Sequence, residues 1–220
     1  LLLWPGMDAH SFSEEGVAGA VPEWVAAICK TVLGALLFWA VARRFESPLV
    51  AGWCGMIGRV MVLHFGTFHL LSLAWRAFGV NAQPLMNSPL LAGSLGDFWG
   101  KRWNLAFRQI GYELVFAPFH KVIGASAATA AIFLLSGIIH DLVISFPSGG
   151  GYGLPTMYFI LQGVGLIVEK TAVGRRLGLG HGWVGRTFAI GVAAGPAFWL
   201  FHPPFVMRVI IPFMKIVGAL

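Results

Sequence analysis

Read only for hydrophobic and polar positions, the chain is a series of long apolar runs separated by short polar breaks. Val21–Ala42 tolerates Lys30 and stops at Arg43–Arg44, while Leu49–Phe78 is long enough to cross a bilayer but carries Arg59, His64 and His69. Gly79–Asn104 breaks the pattern with Asn81, Gln83, Pro84, Asn87, Ser88 and Pro89, which predicts a loop leading into a short amphipathic segment. Leu105–Val122 is apolar yet studded with Arg108, Glu113, His120 and Lys121, the pattern of an interfacial or partly inserted helix. Gly124–Phe146 is a clean span interrupted only by His140 and Asp141, and the breakers Pro147–Gly153 turn it into Leu154–Val173. A basic loop (Gly174–Arg186), a span (Thr187–His202), a break (Pro203–Pro204) and a last apolar segment (Phe205–Leu220) follow. Since a crossing takes about 20 apolar residues, the pattern predicts an all-α, multi-pass membrane domain over residues 1–220 with about five or six membrane segments.

Composition agrees. The chain is 57% hydrophobic and 11% charged, with a mean hydropathy of +0.78; soluble domains run near 45–50% apolar and about 25% charged. The surplus apolar surface has to face lipid, in a bacterial inner membrane or the endoplasmic reticulum. The chain starts at Leu1, and LLLWPG reads as the tail of an apolar segment without the flanks of a signal peptide, so further spans are expected upstream.

The net charge of +6 changes the picture only in detail. Basic residues come in short groups between apolar runs (Arg43 and Arg44, Lys101 and Arg102, Arg175 and Arg176), as cytoplasmic loop anchors do. They form no aromatic-interleaved stripe, so no nucleic-acid partner is expected. The same bias puts Lys101–Lys121 and Lys170–Arg186 on the cytoplasmic side of two crossings. It conflicts at Leu49–Phe78: either that segment is bent or re-entrant, or the rule fails at one loop. Cys29 and Cys54 sit inside apolar runs and match no disulfide framework or zinc spacing.

Two places carry candidate chemistry. Ser94–Asn104, SLGDFWGKRWN, sets Phe98, Trp99 and Trp103 at headgroup level while Lys101 and Arg102 reach phosphates or the cytosol; on this ground alone it is a membrane anchor. His140, in SGIIHD, shares a helical stripe with Ser126, Thr129, Phe133, Ser136 and Gly137, which suits a cavity better than lipid. A histidine within a span is by default a functional candidate, and its ordinary pKa suits proton abstraction near neutrality; a structural histidine bonded to a neighbouring helix fits the same residues. Asp141 lies about 100° further round the helix, placed to orient a partner without touching the imidazole. His10, His120, His181 and His202 fall in loops or at segment ends, where solvated or capping roles prevail. His64 and His69 form no di-iron box, and neither a zinc-protease nor a serine-hydrolase motif occurs, so no metal is indicated.

SLGDFWGKRWN followed by a span holding SGIIHD resembles the wax synthase branch of the membrane-bound O-acyltransferase superfamily. PGMDAHSF (5–12) and MNSPLLAGSLGDFW (86–99) also look like that branch, so the resemblance runs from about Pro5 to the end of the His140 helix. It implies that Asn104 matches the family's characteristic asparagine and His140 its catalytic histidine. It further implies acyl-CoA as co-substrate, no resident cofactor, and a lipid or long-chain alcohol hydroxyl as acceptor, as in wax ester synthesis. His140 would take the hydroxyl proton. Asn104 would donate to a substrate carbonyl or the oxyanion, or orient the histidine. Substrate-binding positions are then Trp99, Trp103, Ser136 and Asp141, with Lys101, Arg102 and Arg108 drawing coenzyme A phosphates or serving as plain anchors. The chain is short for that superfamily. Two other classes stay open: a transporter or channel using His140, Asp141 and Arg59, although no inverted repeat is visible, and a non-catalytic scaffold of the same fold.

Overall fold

The computed structural model describes residues 14–220; the PGMDAHSF motif and His10 lie outside them. Among the described residues there is no strand, only an isolated bridge between Glu15 and Val80. Two compact units form among them, one of residues 14–87 with Ile210–Leu220, the other of Ser88–Val209.

The first unit contains α1 (Val21–Arg44) and α2 (Pro48–Ala77), both long and apolar enough to cross a membrane. Proline opens each at a first-turn position, where its missing N–H costs nothing. At 30 residues, α2 is about 45 Å long, enough for a hydrocarbon core and its headgroup layers. It is continuous, with π-type turns at Met61–Thr67 around His64, so no re-entrant break occurs. Two of its polar residues pair with α1: His69 and Arg76 both converge on Glu23, at 3.4 and 2.8 Å, whereas His64 keeps a buried Nδ1 without a hydrogen-bond partner and meets Phe68 edge-on. Arg59 lies over the ring of Phe213. The two helices touch backbone to backbone, because a Cβ on Gly34 would stand 2.7 Å from the carbonyl oxygen of Gly58, and one on Gly58 the same distance from that of Gly34.

The second unit holds α3 (95–102), α4 (105–123), α5 (Ala125–Ser148), α6 (Leu154–Lys170), α7 (Ala172–Arg176) and α8 (Gly182–Leu200). Helix α5 qualifies as a span, while α8 and α9 (Pro203–Ile216), bent by 58° at the break between them, are apolar and long enough only as a pair, a broken span or a re-entrant loop. Helix α6 has 17 residues, about 26 Å against a core of about 30 Å. It stops because Thr171 turns extended and its hydroxyl caps α7 at the Gly174 N–H. Helix α4 keeps Arg108, Glu113 and Lys121 and is too polar for a simple crossing. The core is Leu95, Phe133, Tyr158, Phe159, Leu166, Ala189 and Ala193. Helices α5 and α6 run antiparallel in close contact, since a Cβ on Gly137 would lie 2.7 Å from the Thr156 Cα. Leu134, Leu135, Ile138, Leu142, Val143 and Phe146 are exposed on α5, an apolar face that no soluble protein of this size leaves open.

The glycine contact in the first unit sets a stability expectation. Gly58→Ala has to push two backbones apart, so it should lower unfolding stability by about 1–3 kcal/mol, as overpacking does; denaturant titration in detergent micelles measures it. Gly93→Ala, with nothing within 4 Å of a built Cβ, is the neutral control.

Candidate active site

The tryptophan-rich element owes its shape to one asparagine. Asn104 adopts φ 43 and ψ 66, a left-handed conformation that asparagine tolerates better than most residues with a Cβ. Its Oδ1 accepts the Phe107 N–H at 3.2 Å, capping α4. The chain therefore leaves α3, turns once and restarts as α4. Upstream, the Ser94 hydroxyl accepts the Asp97 N–H, and the Asp97 carboxylate accepts Gly93 N–H and Arg102 Nε–H at 3.0 and 2.7 Å. Burial pushes the Asp97 carboxyl up, but the hydrogen bonds from Arg102 and Gly93 and the charges of Arg102 and Lys101 outweigh it and hold it below the usual carboxylate range. Trp99 donates its indole N–H to Gln162 of α6 at 3.3 Å and packs edge-on against Phe133.

On α5, His140 Nδ1 lies 2.7 Å from the Ser136 carbonyl oxygen. A carbonyl only accepts, so Nδ1 carries the proton, and in the neutral ring Nε2 holds the lone pair. The ring also packs on Phe159, centroids 4.3 Å apart. Asp141 points elsewhere. Its carboxylate accepts Ser145 Oγ–H, the Gly153 and Thr156 N–H groups and the Thr156 hydroxyl, so it fastens the start of α6 to the end of α5.

Between α3, α4, α5 and α6 lies a cavity of about 370 Å³. Trp99, Trp103 and Asn104 form one wall, Phe107, Arg108, Tyr112 and Phe116 a second, and Thr129, Ile132, Phe133, Ser136 and His140 a third. Phe159, Leu166 and Lys170 of α6 close it. The helical register explains why Asn104 and His140 meet there. A Cβ on Gly111 would stand 3.2 Å from Ile132, and α4 and α5 form an antiparallel hairpin through Gly124. From that contact, about two turns back along α4 reach Asn104, and about two turns forward along α5 reach His140. At the other end a side chamber of about 80 Å³ continues past Ser126 and Thr129.

Of the positions expected from sequence, His140, Asn104, Trp99, Trp103, Ser136 and Arg108 line this cavity, whereas Lys101, Arg102 and Asp141 do not. Lys101 is exposed, Arg102 is tied to Asp97 and the Ser88 carbonyl, and Asp141 is spent on the α5–α6 junction. The cations that do reach the cavity are Arg108 and Lys170. Lys170 arrives only because α6 returns antiparallel to α5, which no local motif announces. His202 caps α9, its Nδ1 accepting the Phe205 N–H. No cluster of potential metal ligands occurs among the described residues.

Fold and cavity together define a helical integral membrane protein with an aromatic-lined internal chamber. Comparison with known proteins adds what the chain is similar to. Residues 82–161, the segment that builds the chamber's Asn104 and His140 walls, match the Membrane bound O-acyl transferase family. Over 200 residues the chain is 26% identical to an Arabidopsis thaliana protein named "Probable long-chain-alcohol O-fatty-acyltransferase 3", covering 83% of this chain and 57% of the relative. It is 30% identical over 146 residues to "Long-chain-alcohol O-fatty-acyltransferase" of Simmondsia chinensis, covering 61% of this chain and 41% of the relative. It is also 30% identical over 140 residues to the Arabidopsis thaliana "Acyl-CoA--sterol O-acyltransferase 1", covering 56% and 39%. No solved structure matches. The chain is thus similar, over the stretch that builds the cavity, to the Membrane bound O-acyl transferase family and to proteins named for long-chain-alcohol O-fatty-acyl transfer, and it spans a little over half the length of the first of these relatives.

The dual setting of Asn104 separates its structural part from any chemical one. Asn104→Ala loses both the cap and the tolerance for positive φ, which should cost about 2–3 kcal/mol, whereas Asn104→Gly keeps the φ and should cost under about 1 kcal/mol. Thermal unfolding of the two variants in micelles compares them directly.

Proposed function

We propose that the protein is a membrane O-acyltransferase that moves a fatty acyl group from acyl-CoA to the hydroxyl of a long-chain alcohol or similarly apolar lipid, with His140 as general base. The observation that carries the reading is that His140 and Asn104 line one chamber and that His140 has its lone-pair nitrogen, Nε2, left for chemistry by the Nδ1 bond to Ser136. Relatives named for long-chain alcohols and for a sterol support an acceptor whose hydroxyl sits on a large apolar body. The tryptophan and phenylalanine walls suit such a body.

In this reading His140 Nε2 takes the acceptor's hydroxyl proton while the alcohol oxygen attacks the thioester carbonyl carbon. The tetrahedral oxyanion receives a hydrogen bond from the Asn104 side-chain amide, whose oxygen is engaged with Phe107 and whose NH₂ is the donor end. The carbon–sulfur bond then breaks, the ester forms, and the imidazolium returns its proton to the leaving thiolate, releasing coenzyme A. Arg108, already among the residues expected to draw phosphates, and Lys170 are the cations at the cavity and fill that role in place of Lys101 and Arg102. The largely apolar lining of the chamber favours the alcohol over water as nucleophile.

The test uses membranes from cells making the full-length protein, supplied with radiolabelled acyl-CoA and a long-chain alcohol. His140→Gln should lower ester formation by about 10²- to 10⁴-fold, the usual worth of a general base, with protein levels unchanged on immunoblot. Ester formation within a few-fold of the parent would remove His140 from the chemistry.

A further inference from the structure

Glu169 is an ionisable residue that none of the chemistry above uses. It sits at the end of α6, is 6% exposed, and belongs to a residue type rarely buried without good reason. Its two oxygens serve the start of α3: Oε2 accepts the Leu95 N–H at 2.6 Å and Oε1 the Gly96 N–H at 3.1 Å. Those N–H groups belong to the first turn of a helix, where no intrahelical acceptor exists and where negative charge is favoured. The approach is close enough that a Cβ on Gly96 would lie 2.9 Å from Oε1. Gly96 itself lines the chamber, and Trp99, Trp103 and Asn104 follow within about two turns.

A second fastening lies further along the same helix. Gln162 is fully buried, accepts the Trp99 indole N–H and donates to the Val192 carbonyl at 2.7 Å. Beyond it, Phe159 packs on the His140 ring. One helix therefore grips both sides of the chamber: His140 through Phe159, and the tryptophan-rich element through Gln162 and Glu169. Bonds to two consecutive backbone amides fix a segment's position and direction, which a single side-chain contact does not.

We propose that Glu169 is a positioning residue that holds the Ser94–Asn104 element in register with His140, acting through Leu95 and Gly96 on Asn104. The proposal rests on the acyl-transfer reading above for its kinetic consequence but not for its structural one. Misplacing a reactive group by an ångström costs on the order of 10²-fold in rate.

The experiment compares full-length wild type, Glu169→Gln and Glu169→Asp in nanodiscs, by hydrogen exchange and by kinetics. Glu169→Gln turns one acceptor into an NH₂ facing an N–H, so exchange of the 94–104 peptide should speed by about tenfold or more, while peptides of α5 keep their rates. Turnover should fall about 100-fold with KM for the alcohol within about threefold, and Glu169→Asp, which keeps both oxygens, should recover part of the loss. In an Asn104→Ala background Glu169→Gln should cost less than about threefold more, since residues acting through one another are not additive. Unchanged exchange in 94–104, exchange rising equally everywhere, turnover within about twofold of wild type, or a loss that multiplies in full onto Asn104→Ala each overturns the proposal. If Glu169→Gln does not fold, Glu169→Asp carries the same exchange comparison. If wild type itself forms no ester, the acyl-transfer reading fails, and the exchange arm still decides whether Glu169 holds the element.

Discussion

An imidazole inside a lipid-embedded helix has two nitrogens to satisfy and no water on the lipid side to do it. In this protein the helix's own backbone supplies one partner: the Ser136 carbonyl, one turn before His140, accepts from Nδ1. That bond selects the tautomer and turns Nε2 into the basic nitrogen. The rest of the second unit is arranged around it. Asp141, next in the chain, ties the end of α5 to the start of α6, which seats Phe159 against the ring. Gln162 and Glu169, further along α6, then bring the tryptophan-rich element to the opposite wall. His140, Asp141, Gln162 and Glu169 are each bonded so as to fix the position of another element.

Helix α5 divides its circumference accordingly. One side carries Leu134, Leu135, Ile138 and Leu142, all exposed as a lipid-facing surface. Another carries Thr129, Ser136 and His140 and opens on the chamber. A third, at Gly137, lies against the α6 backbone at Thr156. A residue with no side chain is needed there, because a bulkier one would push α6 outward and carry Phe159 off the imidazole. The first unit uses the same device at Gly34 and Gly58, where two long helices meet without intervening side chains. With lipid as apolar as leucine, close backbone approach is what holds such helices together.

Much of this was legible beforehand. Apolar run length located α1, α2 and α5 to within a few residues, and the stripe shared by Thr129, Phe133, Ser136 and His140 pointed to a cavity because helical periodicity is local information. The pairing of Asn104 with His140 came from the motif resemblance; the hairpin register through Gly124 supplies its geometric reason. What stayed hidden depended on topology. Lys101 and Arg102 looked like the cations for an anionic substrate, but Asp97 takes Arg102 and leaves Lys101 outside, while Lys170 reaches the chamber from a helix far along the chain. Asp141 looked like a site residue and proved to be a junction between helices. Glu169 gave no signal, since a carboxylate beside a lysine at a helix end reads as surface. The polar residues of α2 suggested a bent or re-entrant path, whereas the helix runs on from Pro48 to Ala77 with His69 and Arg76 on Glu23 and Arg59 over Phe213.

In the proposed reaction the acceptor's hydroxyl enters the chamber between Asn104 and His140, and photolabelling locates it. A long-chain alcohol carrying a diazirine beside its hydroxyl would be irradiated with the full-length protein in nanodiscs and the adducts mapped by mass spectrometry. Adducts are expected on chamber residues, Trp99, Trp103, Phe107 and the Phe133–His140 side of α5, suppressed by excess unlabelled alcohol. Adducts confined to the lipid-facing Leu134, Ile138 and Leu142 of the same helix, and indifferent to competitor, would contradict this placement.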